Sequence, residues 1–191
     1  ESDYTFFENK LILSVSGMLD ELLFMMSEGR GIISPEIHAF CVKDEMVNAF
    51  CFGVNNRYYI GILSATYVEL MKRVHWLTDY LVQRKDLHYY QNRDSVEIQA
   101  LLWNYAFKTI VSHEYMHVIL GHCDTVCEKT AFLWENAGSE ESKSMSSSEI
   151  LSMQAMEMFA DEFSAMDAVM QILTECGDDV EKIKYELEMA G

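Results

Sequence analysis

Proline is nearly absent from this sequence, with one in 191 residues, and glycine is held to nine. Such scarcity excludes collagen-like and linker-rich architectures, which depend on both residues. No apolar run approaches the roughly 20 residues that a membrane-spanning helix needs. The amino terminus carries no basic-then-apolar stretch, and no Asn-x-Ser/Thr acceptor site occurs. The five cysteines (Cys41, Cys51, Cys123, Cys127 and Cys176) are odd in number and follow no framework spacing. That usage fits free thiols in a reducing compartment. These absences predict a soluble, cytoplasmic chain without a transmembrane segment.

Cationic side chains are the scarcest charged class. Lys and Arg total 14 against 31 Asp and Glu, for a formal net charge of −17. A surface this acidic repels phosphate backbones, so no nucleic-acid partner is expected. The imbalance is also lopsided. From Glu114 onward 4 Lys oppose 17 acidic side chains, whereas the residues before it hold 10 basic and 14 acidic ones. What is plentiful is apolar: half of the residues are hydrophobic, and 12% of all residues are aromatic. The length and that content predict one domain over residues 1–191 with a sizeable core.

Periodicity divides the chain. Phe7, Leu11, Val15, Met18, Leu22 and Met25 recur at three and four, predicting a helix over residues 4–28 that ends at Gly29-Arg30-Gly31. Three short β-favouring runs follow at 36–42, 47–53 and 58–63. Asn55-Asn56 between the last two reads as a hairpin turn, because Asn tolerates positive φ. Helices are expected over 66–84 and 96–120, a polar loop over 135–148, and further helices over 150–174 and 179–189. Ser146 and Glu149 form a capping box ahead of the third of these helices. The mixture is α+β. His88-Tyr89-Tyr90 reads as a loop, and Lys72, Arg73, Arg84 and Lys85 as a solvated face.

Residues 113–117 read His-Glu-Tyr-Met-His, an HExxH motif. On a helix His113 and His117 leave the same face, so both imidazoles can bind one Zn²⁺. Glu114, one position round, can take a proton from water without binding the metal. The surrounding sequence is apolar nearly all round, with Leu102, Ala106 and Ile110 on the histidine stripe. A buried central helix is therefore expected, and buried histidines need partners. The alternative is a pair of core histidines satisfied by hydrogen bonds.

A catalytic zinc keeps three protein ligands and one open position. The third ligand does not follow the second histidine at the metzincin spacing, where Cys123 stands. Glu157 and Asp161 lie four apart on the later helix and share a face. One carboxylate can bind the metal while the other accepts a ligand histidine's remaining N–H. Met156, Phe159, Phe163, Met166 and Met170 are expected to bury the opposite side. The alternative is an acidic, solvated stripe, the reading given to Glu162 and Asp167. His122, after Gly121, reads as a helix-end histidine satisfying carbonyls, with metal ligation as the alternative. A second zinc site from His122, Cys123 and Cys127 lacks a fourth ligand at the expected spacing.

HExxH followed by Glu157-x-x-Ala160-Asp161 resembles the gluzincin zinc metallopeptidases, especially the HtpX-like and CAAX-prenyl-protease-like group. In that group both histidines and the first Glu bind zinc. Val47-Asn48-Ala49-Phe50 leading into Tyr59-Ile60-Gly61-Ile62-Leu63 is similar to the group's substrate-edge hairpin. His117-x4-His122 resembles the spacing of the Oma-type branch. The small size is similar to that of the minimal soluble gluzincins, of ImmA/IrrE or Lit type. The resemblance spans about residues 47–168.

It implies a zincin-like α+β domain, with a small mixed sheet packed against the HExxH helix and a ligand helix crossing it. It implies zinc on His113, His117 and Glu157, Glu114 as the catalytic base, and Asp161 orienting a ligand histidine. Asn48, Ala49 and Phe50 would form the edge for a protein or peptide substrate, with neutral or basic segments favoured by the acidic cleft. Family members carry an Arg, His or Tyr near or beyond the second helix to stabilise the oxyanion. This chain has no Arg or His after His122, which leaves Tyr185 downstream, or His38, His75 or Tyr115 upstream. That departure keeps open a catalytically weak or inactive zinc-binding module that regulates or binds a partner. The loop over 135–148 is a candidate lid.

Overall fold

The computed structural model describes residues 36–84, 93–125, 146–177 and 179–190, together with Gly17 and Leu19. Among these residues the fold is α+β, with three strands and five helices. The strands are β1 (Ile37–Val42), β2 (Ala49–Val54) and β3 (Arg57–Leu63). The helices are α1 (Ser64–Gln83), α2 (Ser95–Ile119), the single-turn α3 (His122–Thr125), α4 (Ser147–Cys176) and α5 (Val180–Ala190).

The sheet is mixed, in the order β1-β3-β2. β2 and β3 form the antiparallel hairpin expected from Asn55-Asn56, whose φ values of 53° and 60° suit a two-residue turn between twisted strands. β1 pairs parallel to β3 on the other side, with Ile37 opposite Tyr58 and Val42 opposite Leu63. Strand alternation separates two faces. Ala39, Cys41, Ala49, Cys51, Ile60 and Ile62 pack inward. Phe40, Phe50, Phe52 and Tyr59 make ring contacts with one another on the outer face.

Gly61 stands opposite Phe50, and a Cβ there would run into the Phe50 ring. Gly61→Ala is therefore expected to destabilise the fold by about 1–3 kcal/mol, the usual effect of overpacking. Urea unfolding should show a lower midpoint with an unchanged slope. An unchanged midpoint would mean that the ring has room to move.

α1 starts directly from β3 without a side-chain cap. Its first turn instead holds the connection between β1 and β2. Ser64 Oγ accepts from the Asp44 N–H, and Thr66 Oγ1 accepts from the Asn48 N–H and donates to the Asn48 carbonyl.

α2 is the central element. Asp94 caps it by accepting from the Val96 N–H, and it ends before Gly121 at φ 72°. It contacts the sheet, α1, α4 and α5, which accounts for its nearly all-round apolar sequence. Two clusters lie along it. Phe107, Val111, Tyr115 and Met116 join Ile60, Ile62, Leu19 and Ala160 in one. Ile98, Leu102 and Tyr105 join Val74, Ile172, Cys176 and Tyr185 in the other.

α4 begins with the capping box, both halves of which are present. Its packing differs from the expected pattern. The buried residues are Met153, Ala160, Ser164, Ile172 and Cys176, while Phe159, Phe163, Met166 and Met170 are exposed and Met156 is half-buried. Small Ala160 and Ser164 let the α4 backbone come close to α2. The bulky side chains therefore turn away from that contact.

Gly17 and Leu19 are helical, and Leu19 is fully buried. The rest of the helix expected over 4–28, the loop at His88-Tyr89-Tyr90, Cys127 and positions 135–145 lie outside the described residues. No helix among the described residues is long and apolar enough to cross a membrane.

Candidate metal centre

The last turns of α2 and the third and fourth turns of α4 meet beside the sheet. His113 and His117 lie one turn apart on α2, and Glu157 faces them from α4. His113 Nε2 is 3.1 Å from His117 Nε2 and 3.2 Å from Glu157 Oε2. His117 Nε2 is 3.4 Å from Glu157 Oε1. These three side chains are close enough together to hold a metal ion.

The separations carry chemical information. A first-row ion bound tetrahedrally by N and O at about 2.0–2.1 Å sets neighbouring donor atoms about 3.3–3.4 Å apart. The observed 3.1–3.4 Å brackets that span.

The outward nitrogen of each histidine is engaged as well. Asp161 Oδ1 lies 2.8 Å from His113 Nδ1, one turn beyond Glu157. His122 Nδ1 lies 3.0 Å from His117 Nδ1. A proton on each ligand Nδ1 can be donated to these neighbours, which leaves both Nε2 lone pairs facing Glu157. Two lone pairs and a carboxylate at such distances repel one another unless a cation or a proton lies among them. Without a cation a proton serves, and the hydrogen bond to Glu157 raises the His113 pKa above its ordinary value despite burial. Burial works against the charge of Glu157, but its hydrogen bonds to His113 and His117 prevail and bring its pKa down to about 2.

Glu114 points to the sheet side of α2 and is buried. Burial pushes its pKa up, while the neighbouring His113 and His117 and a hydrogen bond from the Cys51 thiol oppose the rise. It therefore sits between the histidine cluster and β2. Ser112, next to the motif, donates to Asp167 on α4 at 3.2 Å. Asp167, expected on a solvated face, thus ties α2 to α4.

Asn48 precedes β2, and Ala49 and Phe50 begin it. Among the described residues β2 pairs only with β3. The Leu63 N–H donates to the Asn48 carbonyl, so positions 48, 50 and 52 turn their backbone groups toward β3. The Asn48 N–H and carbonyl are further occupied by Thr66. Asn48 and Phe50 are thus corrected as edge positions. Ala49, Cys51 and Gly53 turn their backbone groups to the other edge.

Tyr185 is corrected too. It is buried in the second cluster, with Arg93 stacked 3.7 Å over its ring, near the start of α2. Ser95 and His113 are separated by about 27 Å of helix. Tyr115 belongs to the first core cluster. His38 contacts exposed Glu36 and stacks on Tyr59, and His75 lies 3.7 Å from Asp79.

His122 lies against His117 rather than only at the helix end. Its spacing to His117 was the one available signal. Burial and the nearby His117 hold its pKa below the ordinary value, which keeps it a neutral acceptor for the His117 N–H.

No protein-family model, curated protein or solved structure matches this chain.

Proposed function

We propose that this chain is a zinc-dependent metallopeptidase of gluzincin type. The observation that carries the reading is the donor set: two imidazole Nε2 atoms and one carboxylate, mutually 3.1–3.4 Å apart, with both Nδ1 atoms already oriented. Imidazole with carboxylate suits zinc, and three protein ligands leave one position open. Zinc bound there supplies a Lewis acid that polarises the scissile carbonyl and acidifies water.

The protein's own groups account for the rest of the reaction. Glu114 accepts the proton of the attacking water and returns it to the leaving nitrogen. Asp161 and His122 hold the histidine rings in the required tautomer and orientation. Ala49, Cys51 and Gly53 offer backbone groups to an extended peptide by strand addition. Glu114, Glu157, Asp161 and the net charge of −17 favour neutral or basic substrate segments, less so at high salt.

A second reading is a zinc-binding module without turnover. It is favoured by one observation: Tyr185, His38 and His75 make contacts away from the donor cluster, and Tyr115 belongs to the core. Metal analysis of the full chain purified without added metal, combined with a peptide-library digest, separates the readings. The peptidase reading expects near one zinc per chain and chelator-sensitive cleavage at internal bonds. Zinc without cleavage selects the second reading. No zinc overturns both.

The orienting residues give a graded test. Asp161→Asn and His122→Ala are each expected to weaken zinc binding by about 10–100-fold. Asp161 should fall at the lower end, because its side chain is 75% exposed. Competition with a chromophoric chelator measures the change. Unaltered affinity in both variants would remove these residues from the site.

A further inference from the structure

Three consecutive residues of α3 reach three different parts of the molecule. His122 meets His117, Asp124 accepts from the Tyr58 hydroxyl at 2.8 and 2.9 Å, and Cys123 Sγ lies 3.3 Å from Cys51 Sγ. Cys51 sits on the inner face of β2, packed against the cluster formed by Val111 and Tyr115. Its thiol lies beside the Glu114 carboxyl. A thiol pair thus joins the candidate substrate edge, the turn after the metal helix and the candidate base.

We infer that Cys51 and Cys123 form an oxidisable dithiol whose conversion to a disulfide switches off the candidate site. The inference rests on the peptidase reading for the activity it controls, but the dithiol itself is independent of that reading. The two sulfurs are already in contact, and a disulfide requires them to close to about 2 Å. Both cysteines are free thiols and only partly buried.

Hydrogen peroxide is the oxidant class that suits the step. Cys123, on the short surface helix, is the sulfur that meets peroxide. Its thiolate attacks the O–O bond and becomes a sulfenic acid, and the displaced hydroxide leaves as water with the thiol proton. The Cys51 sulfur then attacks the sulfenic sulfur. The S–S bond forms, and the sulfenic hydroxyl leaves as a second water with the Cys51 proton. Two thiols and one peroxide become one disulfide and two waters.

The bond has two consequences at the site. Cys51 loses the polar S–H beside Glu114, and drawing Cys123 to Cys51 also pulls on the adjacent His122, which meets His117. The middle of β2 becomes covalently tied to α3, next to Gly53, where a Cβ would already stand 3.8 Å from Cys123 Cβ. An incoming peptide then meets an edge strand that can no longer adjust.

The test uses the full zinc-loaded chain treated with hydrogen peroxide, with Cys123→Ser as the comparison. The expected results are a mass loss of two hydrogens, a Cys51–Cys123 peptide in a non-reducing digest, and a shifted Glu114 carboxyl ¹³C resonance. Peptide cleavage should fall at least tenfold and return with dithiothreitol, which does not reduce methionine sulfoxide. Cys123→Ser should cleave normally and show neither the cross-link nor the resonance shift. Absence of the cross-link, or a cross-link that leaves Glu114 and cleavage unchanged, overturns the inference. If the reduced protein cleaves nothing, the peptidase reading fails by itself. The cross-link and the Glu114 resonance then still decide whether the dithiol acts on the site.

Discussion

Glu114→Gln is expected to keep near one zinc per chain while losing peptide cleavage by about a thousandfold, within the 10²–10⁴ range of general acid–base catalysis. The two effects separate because Glu114 stands outside the donor cluster. His113, His117 and Glu157 face one another, whereas Glu114 faces β2 and Cys51. Gln matches Glu in shape but cannot accept the proton of the attacking water. Folding should not suffer, since the buried carboxylate already works against desolvation. Zinc content and steady-state cleavage measured on one preparation check both halves. Retained cleavage in this variant would remove Glu114 as the base. Lost zinc would mean that its carboxyl supports the cluster directly.

Glu157→Ala should have the largest effect on the metal itself. It leaves two imidazoles, too few for a closed set of protein ligands, and zinc is expected to dialyse away against a mild chelator. The loss extends to stability through mass action. At a free zinc concentration 100 times the dissociation constant, binding contributes about 2.7 kcal/mol. In a chain of this size that corresponds to a zinc-dependent rise in Tm of about 5–10 °C. The wild type should show that rise and Glu157→Ala should not. Glu162→Gln, exposed on the same helix, should behave as wild type. A full zinc response in Glu157→Ala would show that the third donor is another group.

Much of this site was legible because its elements are local. An i, i+4 histidine pair on an apolar helix shares one face whatever surrounds it, and Glu157 with Asp161 obeys the same rule. The structure adds the distances that bring the two pairs together, with His113 between Glu157 and Asp161. The hairpin at Asn55-Asn56 and the capping box at Ser146 were legible for the same reason. Turn and cap chemistry is set within four residues.

The misreadings all concern direction. The bulky side of α4 was expected inside, but Ala160 and Ser164 made the contact with α2 instead. A helix with two apolar faces gives no local sign of which one its neighbour will take. Tyr185 was selected because no other tyrosine follows His122, and chain order says nothing about its distance from the site. Its helix packs at the far end of α2. Which of Asn48, Ala49 and Phe50 turns its backbone groups away from β3 was not legible, since strand register depends on the partner strand and on Thr66.

By itself, then, the sequence determined the α+β class, the helix that carries HExxH, the local pairing of donors and the strongly acidic balance. Each of these follows from composition or from contacts within one or two turns. Only the tertiary structure decided which edge of β2 pairs with β3, which face of α4 is covered, and where the chain goes after Gly121. That last choice brings His122 to His117 and Cys123 to Cys51, the latter across 72 positions. A positive φ at one glycine permits the reversal, but the contacts with β2 and β3 set its direction.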